Sequence, residues 1–111
     1  MKRFVIIIRG PVAGISGENS LATEVELEQI RTWLKGLKSS YEDMLYQKFS
    51  GQQLHLTAAG KLDSKLINQI DGGEISQIVT LILSDWEEAQ RIANSFPFVS
   101  PFYSIELREM A

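Results

Sequence analysis

Two hydrophobic patterns alternate along the chain, one typical of strands and one of helices. Residues 2–9 are apolar at both even and odd positions, as expected of a central strand covered on both faces. Residues 75–83 form a second apolar run after the turn sequence Asp71-Gly72-Gly73. Residues 103–108 alternate apolar with polar positions, which is typical of a half-exposed strand. These three segments are predicted strands.

Helical spacing occurs twice between these strands. Thr23 and Glu26 have the spacing of a capping box in front of an apolar stripe at residues 27–37. Ser84 and Glu87 have the same spacing in front of a second stripe, which a proline ends. Two helices are therefore predicted, starting near residues 23 and 85.

The middle of the chain has the least regular pattern. Residues 41–46 are interpreted as one further helical turn. Leu54 and Leu56 alternate with polar residues, and residues 65–70 follow a turn near Gly60, so an irregular hairpin is predicted. The resulting order of elements favours an α+β fold with a ferredoxin-like antiparallel sheet and both helices on one face. A doubly wound sheet is the alternative.

The apolar pattern of the first strand makes a prediction about the oligomeric state. Val5 and Ile7 lie on one parity and three further apolar residues on the other, yet two helices on one face cover only one of these sets. A second copy of the chain is the simplest cover, which predicts a homodimer through the open sheet face. The alternative is that residues 47–70 fold back across this face within one chain.

Composition restricts the classes of function. A chain of 111 residues with 44% hydrophobic residues is predicted to form one domain, residues 1–111. Its net charge of -3 and its lack of a basic stripe argue against a nucleic-acid partner. The opening apolar run ends at Arg9, too early for a signal segment or a membrane span.

Cofactor chemistry has little support in the sequence. The chain has no cysteine, which excludes disulfides and thiolate sites and fits a cytoplasmic location. His55 is the only histidine, so a multi-histidine metal site is excluded. The early glycines match no nucleotide-binding motif. No cofactor or metal is predicted.

An ordered set of short motifs resembles the YCII-related (DGPF) family. They are Asp71-Gly72, the strand at residues 75–83, Glu88-Ala89 in an acidic-start helix, and the run SIELRE at residues 104–109. Shorter similarities, such as Arg9-Gly10, extend the likeness over nearly the whole chain. The resemblance implies a ferredoxin-like domain that dimerises through its open sheet face into an α+β barrel, with a pocket between sheet and partner.

Two departures from the family pattern concern activity. The segment with proline and an aromatic residue that usually follows Asp71-Gly72 is largely missing, because Gly73 leads almost at once into the strand. The His and Asp pair associated with catalytic members maps onto no pair here. The resemblance therefore implies a fold and an assembly, and leaves open whether the protein is an enzyme.

Four residues are candidates for a site. Arg9 ends a buried strand, so it is expected to be partly buried and paired with a carboxylate, Glu106 first, or to bind an anionic ligand. Glu106 and Arg108 share one face of the last strand, either as a pocket rim or as a cross-strand ion pair. His55 is either an exposed strand residue or a general base.

Two function classes follow from these candidates. The first is a homodimeric domain that binds a small molecule or a partner without a recognisable catalytic pair. The alternative is an enzyme acting on a small molecule, with His55 or Glu106 as acid or base and Arg9 orienting an anionic group.

Overall fold

A computed structural model describes residues 1–10, 24–50, 52, 54, 56–61, 75–97 and 103–111. Its elements in chain order are β1 (Lys2–Arg9), α1 (Glu24–Ser40), β2 (Leu45–Lys48), β3 (Leu56–Thr57), β4 (Gly60–Lys61), β5 (Ile75–Leu83), α2 (Trp86–Asn94) and β6 (Ser104–Glu109). In the described residues, neither helix combines the length and the apolar character needed to cross a membrane.

Four strands form one antiparallel sheet in the order β2-β5-β1-β6. The central position of β1 explains why its sequence is apolar on both parities. Because each helix connects strands that are not neighbours in the sheet, the order corresponds to a ferredoxin-like α+β arrangement. The predicted fold class is confirmed, and the predicted spans of β1 and β5 agree with the structure.

Both helices pack on the same face of this sheet. Phe4, Ile6 and Ile8 of β1 are fully buried, and they belong to one core with apolar residues of α1 and of α2. The members from the helices are Ile30, Leu34, Leu37, Ala89 and Ile92. Burying each of the Phe, Ile and Leu side chains contributes on the order of 1.5–3 kcal/mol, so this face of the sheet provides the main stabilisation of the domain.

Trp33 joins the two helices. Its ring meets Phe96 edge-on, with ring centroids 5.2 Å apart, and its indole Nε1 donates a hydrogen bond of 2.9 Å to Ser95 Oγ. Ser95 follows the last turn of α2 and in turn donates to the carbonyl of Ile92. A tryptophan in this position buries a large apolar ring while its polar edge is satisfied.

The prediction of a further helical turn at residues 41–46 is wrong in its second half. The amide of Tyr41 donates to Leu37 O and the amide of Met44 to Tyr41 O, which forms a turn. From Leu45 the chain continues as edge strand β2, paired with β5. This strand is only four residues long and exposed throughout, so its sequence carries no inward and outward alternation that would predict it.

The start of α2 also differs from the prediction. The helix begins at Trp86, so Asp85 and not Ser84 occupies the N-cap, and its carboxylate Oδ1 accepts a 2.8 Å hydrogen bond from the amide of Glu88. Aspartate is as good a cap as serine, and it adds negative charge at the positive end of the helix dipole. The first predicted capping residue, Thr23, lies outside the described residues.

A hairpin is present in this region, but its described second strand is formed by residues 60–61, where a turn is predicted. β3 pairs with β4 in an antiparallel ladder that joins Leu56 to Lys61 and Thr57 to Gly60. Gly60 has a φ of 119°, a conformation that residues with a side chain rarely adopt. The predicted strand at residues 65–70 and the turn at residues 71–73 lie outside the described residues.

Candidate functional site

The sheet face opposite the helices, here called the open face, is defined by the strand register. Residues directly opposite each other on neighbouring strands project to the same side of the sheet. Val5 is opposite Thr80 on β5 and Arg108 on β6, so these three residues lie on the same face. Its members are Leu45 and Gln47 on β2, Ile75, Ile78, Thr80 and Ile82 on β5, Arg3, Val5, Ile7 and Arg9 on β1, and Ser104, Glu106 and Arg108 on β6.

The open face has an uncharged half and a charged half. All its members on β2 and β5 are uncharged, whereas the charged members lie along β1 and β6. Val5 and Ile7 stand between the two halves and are half-buried, whereas Leu45 at the β2 edge is 66% exposed. An apolar surface that borders a small polar cluster has the composition expected of a ligand pocket or of an interface.

Glu106 lies between two arginines of the charged half. Its Oε1 is 3.9 Å from Arg9 Nη2, and its Oε2 accepts a hydrogen bond from Arg108 Nε. The Arg9 side chain is 16% exposed and that of Glu106 is 30% exposed. The expectation that Arg9 is partly buried and paired with Glu106 is therefore confirmed. The other carboxylate of β6, Glu109, pairs with Lys2 at 3.4 Å.

A bulge positions Arg9. The pairing of β1 with β5 shifts between Ile8 and Arg9, so that Ile8 is opposite Gln77 while Arg9 is opposite Ile75. Ser76 is the extra residue, and it is buried, with its Oγ donating a 3.1 Å hydrogen bond to Ile8 O. Such bulges bend a strand and change the direction of its side chains. The bulge thus fixes the strand end from which Arg9 extends towards β6.

The structure brings together three of the four predicted site residues, namely Arg9, Glu106 and Arg108. His55 lies outside the described residues. The enzymatic alternative that uses His55 or Glu106 as acid or base therefore stays a prediction.

Arg3 is a member of the open face that is not among the site residues predicted from the sequence. Its side chain forms no ion pair with any residue in the described part of the chain. The signal was present in the sequence, because Arg3, Val5, Ile7 and Arg9 share one parity of the first strand. The shared parity assigns Arg3 to the open face only once it is known that Val5 and Ile7, and not Ile6, face away from the helices.

The described surface includes a groove and a hollow. A groove of about 720 Å³ runs along the outer side of α1 to the end of α2, and its described lining is Val25, Glu28, Gln29, Arg31, Thr32, Trp33, Ser95 and Pro97. A hollow of about 390 Å³ lies at the Arg3 end of the sheet, lined by Met1, Lys2, Arg3, Ile82, Met110 and Ala111. The groove is larger, but its charged pair Glu28–Arg31 is exposed, whereas the open face carries a partly buried one.

Tyr46 is the residue of β2 whose ionisation the fold changes. Its hydroxyl donates a 2.8 Å hydrogen bond to Gln77 Oε1, on the helix side of the sheet. Partial desolvation raises the pKa of the Tyr46 phenol above its ordinary value of 10.0, and Arg31 opposes this with a smaller lowering effect. The phenol is therefore protonated at neutral pH and acts there as a structural donor.

Comparison with known proteins adds no identity to this description. No protein-family model matches the chain, and no curated protein matches it. Among the described residues, no three acidic or histidine side chains lie close enough together to hold a metal ion. The functional reasoning therefore proceeds from the open face and its ion-pair cluster.

Proposed function

We propose that the protein is a homodimeric domain of the YCII-related type that binds a small molecule between the open faces of its two subunits. One observation carries the proposal: the open face combines an apolar surface with the partly buried pair Arg9–Glu106. A charged pair is rarely held at low exposure on a surface that always faces bulk water. A second layer on this face would account for both features.

The energetics favour a second copy as that layer. Val5, Ile7 and Ile78 are half-buried and Leu45 is largely exposed within one chain. Completing their burial contributes up to about 1.5–3 kcal/mol for each side chain, and a two-fold axis doubles the number of side chains. The sum is comparable to the roughly 4–15 kcal/mol lost in translational and rotational freedom on association.

The sequence resemblance supports the same assembly. The ordered motifs described above resemble those of the YCII-related family, for which the resemblance implies a dimer through this face with a pocket inside. The absence of cysteine supports a cytoplasmic location as part of the proposal. The ligand would contact the polar cluster of Arg9, Glu106 and Arg108 at the edge of the apolar surface.

Light scattering combined with size-exclusion chromatography tests the dimer. At micromolar concentration the wild-type protein is expected to have twice the chain mass of 12.5 kDa. Ile78→Asp should give a folded monomer, because Ile78 lies between Ile7 and Gln47 in the uncharged half of the open face, where the dimer would bury an unpaired carboxylate. Gln90→Glu, which adds the same charge to an exposed position of α2, should leave the dimer intact. A wild-type mass of one chain would refute the proposal.

A further inference from the structure

The charge of the open face has the opposite sign to that of the protein. The whole chain has a net charge of -3, yet the described residues of this face comprise three arginines and one carboxylate. The three arginines all lie on the two neighbouring strands β1 and β6. A second copy would bring a further set of arginines to the same interface, which is unfavourable unless anions accompany them.

Arg3 and Arg108 supply the groups that an anion would contact. Arg108 is opposite Val5, and the amide of Met110 donates to Arg3 O, so the two arginines are diagonal neighbours on adjacent strands. The bond from Arg108 to Glu106 uses Nε, so the terminal nitrogens of Arg108 are not engaged in that contact. Glu106 is in turn placed between Arg9 and Arg108, and this holds the Arg108 side chain at the face.

An apolar surface lies next to these two guanidinium groups. Val5 separates Arg3 from Ile7 along β1, while Ile82 is directly opposite Arg3 on β5. Ile82, Met110 and Arg3 also line the hollow of about 390 Å³ at this end of the sheet. A bound molecule would therefore meet cationic forks on one side and aliphatic side chains on the other.

We infer that the open face binds a small organic carboxylate with an apolar body, its carboxylate on Arg3 and Arg108 and its body against Val5 and Ile82. The planar guanidinium group matches a carboxylate in a two-point contact, and the apolar half supplies the contacts that an inorganic anion lacks. The inference rests on the proposed function, since the partner's face completes the enclosure. It adds the chemical class of the ligand.

Isothermal titration calorimetry with octanoate as the probe tests this inference. Octanamide keeps the chain and removes the charge, while acetate and inorganic phosphate keep a charge and remove the chain. Octanoate is expected to bind about tenfold or more tightly than octanamide, the effect of losing a charged hydrogen bond. Acetate and phosphate are also expected to bind more weakly than octanoate, because they lack its apolar chain.

Variants assign the effect to the face. Arg3→Gln and Arg108→Gln should each weaken octanoate binding about tenfold and leave octanamide binding unchanged. Lys35→Gln removes an exposed charge of α1 and should change neither. Equal binding of octanoate and octanamide, or phosphate binding as tight as that of octanoate, would overturn the inference.

The oligomeric state separates this inference from the proposed function. A dimer with no preference for octanoate would contradict the ligand class alone. A monomer that prefers octanoate, with that preference lost in Arg108→Gln, would contradict the dimer and uphold the ligand class.

Discussion

The Arg9–Glu106 pair permits a test of whether burial or distance determines the strength of an ion pair in this protein. Arg9→Met, Glu106→Gln and the double variant form a double-mutant cycle in which each change removes one charge. The matched control is the same cycle at Glu28 and Arg31 of α1. That pair is closer, at 3.3 Å, but its side chains are 60% and 56% exposed.

The structure gives the expected magnitudes. Two unit charges near 4 Å apart attract each other by about 4 kcal/mol at the dielectric response typical of a protein surface. Desolvation of Arg9, and the sharing of Glu106 with Arg108, reduce this value. We expect a coupling energy of about 1–2 kcal/mol for Arg9 and Glu106, between the values typical of exposed and buried pairs. For Glu28 and Arg31 we expect no more than about 0.5 kcal/mol.

Urea denaturation followed by circular dichroism gives the free energy of unfolding for each variant. All variants must be compared at one protein concentration, because the proposed dimerisation would add a concentration-dependent contribution to stability. A coupling energy for Arg9 and Glu106 equal to or smaller than that of the control pair would refute the reasoning. The lower exposure of Arg9 and Glu106 would then not increase their coupling energy.

Two further predictions concern the core and the sheet edge. Phe4→Ala should lower the free energy of unfolding by about 3–5 kcal/mol, because Phe4 is fully buried beneath α1 and α2, whereas Val25→Ala at an exposed site should cost less than about 0.5 kcal/mol. Tyr46 should lose a proton only above pH 10.0, and its stabilising contribution, present below the unfolded pKa, should decline as the pH rises through the raised folded pKa. Wild type should therefore lose more stability than Tyr46→Phe between neutral and strongly alkaline pH, and equal losses would contradict this.

The parts of the fold that were predictable are those in which burial imposes a period. The apolar run of β1 and the pattern of α1 each follow from covering one or two faces. Strand β2 was missed because an exposed edge strand of four residues is specified by its backbone pairing with β5, which leaves no mark on its side chains. Asp85 was passed over as a cap because Ser84 has the same chemistry one position earlier.

The sequence was sufficient to predict the ion pair of the candidate site but not the membership of the open face. A charge at the end of a buried strand requires a partner, which identified Arg9 and Glu106. Which parity of β1 faces away from the helices, however, depends on the packing of Phe4, Ile6 and Ile8, and a strand that is apolar on both faces does not reveal it. Arg3 could be assigned to the site only after that choice was known.

Cysteine reactivity tests most directly whether the open face is the subunit interface. The chain has no cysteine, so single substitutions give unambiguous reporters. Thr80→Cys places a thiol on the open face, and Thr32→Cys places one on the exposed side of α1. On raising the protein from the nanomolar to the high micromolar range, the account predicts slower modification at position 80 and no change at position 32. An unchanged rate at position 80 throughout that range would contradict it.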